Sequence, residues 1–326
     1  MFDIITVGSA TVDVFAHTDS DIVTIKNKDG KEDVIAYPAG TKMLIKQLDF
    51  YIGGGGTNTA TTFARMGFNT AYLGKIGKDE NGLKIFKFLK KEGIKFIGTL
   101  GDISGYSIIL DSIDEDRTIL TYKGCNNNLT FKEIHKNLLK TKWFYFSSMM
   151  EQSFTTLKKL AEYANKHNIK IAFNPSSYQT KKGVDNLRDI LKYTHILVLN
   201  KEEAQDLIGK TNIKDLLKSL LALGPDIVII TDGKNGAHCY DEKYYYFLKP
   251  RKGIKVVETT GAGDAFASGF VAGQMLKKGV EFSLKIAMNN AESVVQHYGA
   301  KNIILSKSKA LKLASKDKRV IEKKKI

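Results

Sequence analysis

The chain has 326 residues, enough for one large domain or two modest ones around a substantial core. Hydrophobic residues make up 43% and charged residues 26%, which excludes a disordered polyelectrolyte and fits a soluble globular protein. The net charge of +15 raises nucleic-acid binding, yet 45 of the 50 basic residues are Lys, and residues 301–326 alone carry a net of +8. Bidentate phosphate and base readout favours Arg, so the excess reads as composition, with the basic tail a solvated face or frayed helix.

In chain order, an apolar strand at Ile4–Val7 leads into Gly8 and Asp13. Short alternating segments from Val14 to Ile52, broken by turn signals at Asn27–Gly30 and Pro38–Gly40, predict a small β element. Gly53–Gly56 break regularity, and Thr57–Met66 reads as a helix ending near Gly67. Strand Ala71–Ile76, helix Asn81–Lys91 and a second β stretch from Tyr106 to Tyr122 follow. Apolar runs at Trp143–Ser147, Lys170–Phe173, His195–Leu199 and Ile227–Thr231 read as strands, with helices at Ser153–His167, Lys201–Ile208 and Ile213–Leu223. The last helices are Gly263–Lys277 and Glu281–Tyr298, and residues beyond about Ser306 read as a tail. Near-continuous apolar strands alternating with amphipathic helices predict an α/β fold, a parallel sheet covered on both faces. The two early β stretches form a separate flap, a lid over a cleft at the carboxyl ends of the strands.

Met1–Val7 has no basic n-region, and no apolar stretch approaches membrane-spanning length. Cys125 and Cys239 are too few and too distant for a disulfide framework or a metal knuckle, so a reducing cytoplasm fits. No Walker A loop, G-x-G-x-x-G after the first strand, H-E-x-x-H or G-x-S-x-G elbow occurs.

The most informative stretch is Glu258-Thr259-Thr260-Gly261-Ala262-Gly263-Asp264. Two glycines at a helix start leave backbone N–H groups bare where the macrodipole favours anions, and one carboxylate shares the turn. That pairing predicts a general base, Asp264, beside an anion cradle for a transferring phosphoryl group, and equally describes an ordinary acidic first turn.

Together with Gly53-Gly54-Gly55-Gly56-Thr57-Asn58, Gly77-Lys78-Asp79-Glu80-Asn81-Gly82, Asn200-Lys201-Glu202-Glu203 and Thr231-Asp232-Gly233, this stretch resembles the ribokinase-like carbohydrate kinases, the PfkB family, from about Phe2 to Ala300. The resemblance implies a three-layer α/β/α domain over residues 1–305, with a mostly parallel central sheet, a β-sheet lid at about 14–52 and 98–124, and a basic tail at 306–326. It implies an ATP- and Mg²⁺-dependent kinase acting on a hydroxyl, a primary alcohol, of a sugar-like molecule. Asp264 is then the base, with Gly261, Ala262 and Gly263 giving the anion hole. Asp13 is similar to the family's sugar-hydroxyl acceptor, and Gly54, Gly55 and Asn58 to its substrate loop; many members carry Lys where Gly55 stands. Asn200 matches a residue near the phosphates and Glu203 one that holds Mg²⁺ through water. The same pair also spells a capping box. Thr231 and Gly233 resemble phosphate contacts, and Asn289 or Asn290 the adenine contact. Glu258 replaces an Asp that lies near a monovalent-cation site, which makes potassium a further candidate cofactor. Lids of this family often pair between subunits, which implies a homodimer. A nucleoside kinase, a phosphosugar kinase, a non-catalytic ligand-binding protein on the same scaffold and a nucleic-acid binder remain as alternatives.

Overall fold

The computed structural model describes residues 1–17, 22–27, 30–35, 39–40, 42–111 and 117–325. The remainder of the expected lid, including parts of both turn signals at Asn27–Gly30 and Pro38–Gly40, lies outside the described residues. Seven parallel strands run across the centre of a ten-stranded sheet: Lys95–Phe96, Thr70–Leu73, Phe2–Val7, Thr141–Ser147, Lys170–Asn174, Ile196–Asn200 and Ile227–Thr231. Along each strand the side chains alternate between two cores. Ile5, Val7, Phe144, Phe146, Phe173 and Leu199 pack against the helices Glu151–Lys166, Val184–Leu191 and Ile213–Leu221. Ile4, Tyr145, Ala172, Val198 and Ile229 face Phe63 of helix Gly55–Arg65, Phe266 and Phe270 of helix Ala262–Met275, and helix Gly279–Val294. Burial on both faces explains why the strands read as unbroken apolar runs. The expected three layers are present.

The lid is a four-stranded sheet in the order Arg117–Tyr122, Gly105–Asp111, Thr11–His17, Gln47–Gly53. Register pairs Asp13 with Ser107 on one side and Tyr51 on the other, so these three share the inner face. Val14, Phe50, Ile108 and Leu120 share the outer one.

Two expectations change, and one pair of strands is added to those expected from the sequence. The run Ala71–Ile76 is two strands, because after Gly74 the chain leaves the main sheet and pairs Lys75–Gly77 with Thr99–Gly101. A hairpin at Ala237–Tyr240 and Tyr244–Leu248 extends the main sheet antiparallel. The segment 306–325 is folded onto the body and is not a frayed tail: helix Lys307–Lys316 buries Ala310 and Ala314, and strand Glu322–Lys325 pairs with Tyr244–Phe247. Between them Asp317 and Arg319 bond to each other and Arg319 reaches Glu292, a buried ionic knot hidden in what reads as a charge run. Burial raises the Asp317 carboxyl, but the Arg319 hydrogen bonds outweigh it and bring it down to about 2.

Candidate active site

The strands Thr141–Ser147, Lys170–Asn174, Ile196–Asn200 and Ile227–Thr231 end side by side, and their last residues, Ser147, Asn174, Asn200 and Thr231, line one cavity of about 350 Å³. Ser9, Gly55, Lys123, Glu203, Gly261, Gly263 and Asp264 complete much of its wall. A second cavity of about 380 Å³ is largely apolar, lined by Ala237, Ile254, Val256, Phe266, Met288, Ala291 and Val295. Thr231 and Gly263 belong to both. A polar chamber and an apolar slot thus meet at the start of helix Ala262–Met275, beside Asp264.

Gly261 caps that helix with φ of 80°, a left-handed conformation, and a Cβ there would lie 2.4 Å from that of Ala300. Ala262 N–H is turned to Thr259 O, 3.2 Å away, which removes it from the expected anion hole. Among the described residues the N–H groups of Gly261 and Gly263 meet no backbone acceptor. Gly263 is exposed to the cavities, with nothing within 4 Å of where a Cβ would stand.

Helix Gly55–Arg65, capped by Gly54, brings the glycine loop to the same place. Asn58 Nδ2 donates to Asp264 Oδ2 at 2.8 Å. A Cβ on Gly55 would crowd Ser147 Oγ at 3.1 Å and stand 3.6 Å from Asp264 Oδ1. Three buried polar atoms, Asn58 Oδ1, Ser147 Oγ and Thr260 Oγ1, lack a hydrogen-bond partner. Orphaned polar atoms beside a carboxylate fit a ligand rich in hydroxyl groups. Asp13 lies under Gly53 and accepts from Thr11 Oγ1 at 2.8 Å. Burial pushes both Asp13 and Asp264 upward; hydrogen bonds and the Lys301 ammonium hold them back.

Lys301 has no motif to announce it. It is 3% exposed, donates to Thr57 Oγ1 at 2.7 Å and sits 4.7 Å from the centre of the Phe88 ring. Burial drives its ammonium down to about 7 against the upward pull of Asp13, Asp264 and Glu92. The preceding residues tie it to the anion hole: Ala300 packs on Gly261, and Gly299 N–H donates to Glu258 Oε2 at 3.0 Å.

At the far side, Asn200 caps helix Lys201–Ile208 in a reciprocal box. Glu203 N–H donates to Asn200 Oδ1 at 2.7 Å and Asn200 N–H to Glu203 Oε2 at 3.0 Å. Both residues also line the polar chamber, so capping and site membership coexist. Burial raises Glu203 to about 7, with the Asn200 N–H opposing. A carboxylate desolvated in a polar chamber is a hard oxygen ligand of the kind that suits Mg²⁺. Gly233 lines the apolar slot.

Asn289 and Asn290, expected at the adenine, line neither cavity. Asn289 donates to Lys285 O at 2.7 Å and Asp317 Oδ2 at 2.9 Å, and Asn290 bridges Ala265 O to Leu305 N–H. Both are buried struts, and the helix presents Met288, Ala291 and Glu292 to the slot instead.

The model of the pfkB family carbohydrate kinases matches residues 3–307. A cytidine kinase of Thermococcus kodakarensis is 27% identical over 82% of this chain and 94% of its own. A ribokinase of Bacillus subtilis is 26% identical over 85% and 92%. The crystal structure of a ribokinase from Thermotoga maritima superposes with a TM-score of 0.80 at 22% identity, covering 97% of this chain and all of that one. This chain belongs to the pfkB family of carbohydrate kinases, and its fold is ribokinase-like. Its activity is the ATP-dependent phosphorylation of a hydroxyl on a sugar-like molecule.

Proposed function

We propose that this pfkB-family kinase uses Asp264 as its general base and the start of helix Ala262–Met275 as its anion hole. The acceptor, through a primary alcohol, lies in the polar chamber against Ser147 and Asp264; Asp13 and Asn58 do not line that chamber, and are assigned to the acceptor as the carboxylate on the lid's inner face and the amide that holds Asp264. The adenine lies in the apolar slot, with its phosphates running past Thr231 and Gly233 toward Gly263. Asp264 takes the hydroxyl proton as the new O–P bond forms; the bond to the bridging oxygen breaks and ADP leaves. The N–H groups of Gly261 and Gly263 receive the charge on the transferring group, a role withdrawn from Ala262. Mg²⁺, when bound, neutralises the phosphate oxygens, and Glu203 and Asn200 are the residues that would hold it through water. A monovalent cation such as K⁺ is assigned to the region of Glu258, whose carboxylate anchors Gly299 behind the anion hole.

The carrying observation is the placing of Asp264, held by Asn58 at the junction of the two cavities. Its test is Asp264→Asn, which keeps the shape and removes the base. ADP release is expected to fall by about 10²–10⁴ while thermal stability and ATP binding persist. Near wild-type turnover overturns the assignment. Pentoses, hexoses and nucleosides offered with ATP and Mg²⁺ decide between a sugar and a nucleoside acceptor.

The domain is assigned to residues 1–305 plus the packed segment 306–325, and its lid to about 14–52 and 98–124. A homodimer through the lid is supported by the outer face, where Phe50 is 54% and Leu120 52% exposed beside Leu48, Ile108 and Tyr122. A cytoplasmic location is supported by Cys125 and Cys239 being buried and free. Among the described residues no helix is long and apolar enough to cross a membrane.

A further inference from the structure

The wall of the polar chamber carries a charge that the chemistry above leaves unused. Lys123 directly follows the lid strand Arg117–Tyr122 and lines the cavity together with Asn126, Asn127 and Tyr178. It is half-buried, with its Nζ 5.5 Å from the centre of the Tyr178 ring, so the aromatic face fixes the direction of the stem. The only charge felt by Lys123 among the described groups is Asp13, and no carboxylate oxygen of a described residue lies within the 4.0 Å of an ion pair. Asp13 already has Thr11 and Ser107 as hydrogen-bond partners and Lys301 as a second cation. Burial lowers the Lys123 ammonium and Asp13 pulls it up, so it is a cation held at a desolvation cost on the chamber wall.

The neighbouring Asn126 is already engaged: its Oδ1 accepts from Ala10 N–H, and its Nδ2 donates to Ala10 O and Lys123 O. A neutral polyol needs no full positive charge, since Ser147, Asn174 and Asp264 in the same wall already supply hydroxyl partners.

We propose that Lys123 is a specificity-determining residue, and that the acceptor carries an anionic group, a carboxylate or a phosphate, at the end remote from the hydroxyl that is phosphorylated. The proposal rests on the phosphotransfer reading of Asp264 and narrows its substrate class to acidic or already phosphorylated sugars. The negative group meets the ammonium on the Tyr178 side of the chamber, leaving the far hydroxyl to reach Asp264.

The test measures kcat/KM by ADP release with ATP and Mg²⁺ for two neutral acceptors, D-ribose and D-fructose, and two anionic ones, D-gluconate and D-fructose 6-phosphate. An anionic acceptor is expected to lead the neutral ones by about tenfold to hundredfold, the worth of a hydrogen bond to a charged group, and to weaken with added salt. The gluconate and fructose 6-phosphate arms say which anion is taken. Lys123→Met is expected to collapse that lead and Lys123→Arg to keep most of it. Tyr178→Leu, which frees the ammonium without removing it, reduces the lead by a smaller factor. If a neutral acceptor leads, or if Lys123→Met leaves the ratio unchanged, the proposal is overturned while the kinase stands. If ADP release exceeds the water background with no acceptor, the phosphotransfer reading fails and takes the proposal with it.

Discussion

Lys301→Met removes a buried cation without disturbing a single assigned contact to substrate. The groups that face Lys301 are Asp13 from the lid, Asp264 from the anion-hole helix, Glu92 beyond the helix Glu80–Lys91 and Arg65 from the glycine-loop helix. Removing it leaves two buried carboxylates, Asp13 and Asp264, with less to hold their negative charge. At an effective dielectric of about 20 and a separation on the order of 7 Å, the lost attraction is roughly 2 kcal/mol, or between one and two pKa units on Asp264. Thr57 Oγ1 keeps its bond to Gly53 O at 2.6 Å, so the loop retains its shape. The assay is the pH dependence of kcat/KM, which reports the ionisation of the free enzyme. The acid limb is expected to move upward by about one to two units, so the variant's deficit grows as pH falls through that limb. The two enzymes should converge near pH 8.5, because the wild-type ammonium, with its pKa of about 7, is itself largely discharged there. The folded pKa lies below the ordinary lysine value of 10.5, so the unfolded chain holds the extra proton between about 7 and 10.5, and this group's contribution to stability rises with pH across that window. In the variant that rise is absent. A rate ratio that stays constant from acid to alkaline pH refutes the reasoning, since simple damage to packing has no such profile.

Glu203→Gln should raise half-saturating Mg²⁺ by about tenfold or more and make it insensitive to pH, whereas in the wild type affinity falls as pH drops through the raised pKa of about 7; Mg²⁺ titrations at pH 6 and 8 read both. Deleting residues 307–326 removes the Asp317–Arg319 pair and leaves Glu292 of the apolar slot without Arg319, so a loss of roughly 3–5 kcal/mol in denaturant unfolding and a rise in KM for ATP are expected. An unchanged melting temperature would mean that the segment is a mere appendage. Phe50→Glu with Leu120→Glu should shift a lid-paired dimer to monomer in analytical ultracentrifugation; if wild type sediments as a monomer, the lid pairing is wrong.

What the sequence made legible is what local chemistry dictates. Gly261, Gly263 and Asp264 announce themselves because a left-handed cap, an open helix start and a carboxylate need those residue types within four positions. The Asn200–Glu203 box is equally local. Asn289 and Asn290 misled because two neighbouring amides on one helix differ by about 100° in direction, and only packing decides that both face inward. The apolar slot was invisible since Ile254, Val256, Met288 and Ala291 look like core until an edge of the core is left open. Lys301 was lost among 45 lysines. Its distinction is burial, a property of the fold. The segment after Ser306 hid for a similar reason: its charges pair across the fold, Lys323 with Glu281 and Arg319 with Glu292, far away in sequence.

The arrangement of charge also argues against a protein that merely binds its ligand. Asp13, Asp264 and Lys301 are withdrawn from water together, and each shifts toward its neutral form as a result. Desolvation of this kind costs several kcal/mol per ion even after the structure relaxes. Hydroxyls and amides such as Ser147 and Asn58 recognise a polyol without that cost. Asn58 Oδ1 and Ser147 Oγ lack hydrogen-bond partners at the same spot, which adds to the cost. Such expense has a use only where charge must move: a carboxylate whose proton affinity has been raised by burial is a stronger base, and a cation beside it keeps it ionised until the hydroxyl arrives. The desolvation cost of the chamber and the basicity of Asp264 are thus two consequences of one burial, and Asp264→Asn, which removes the charge but keeps the shape, should lose rate without losing stability.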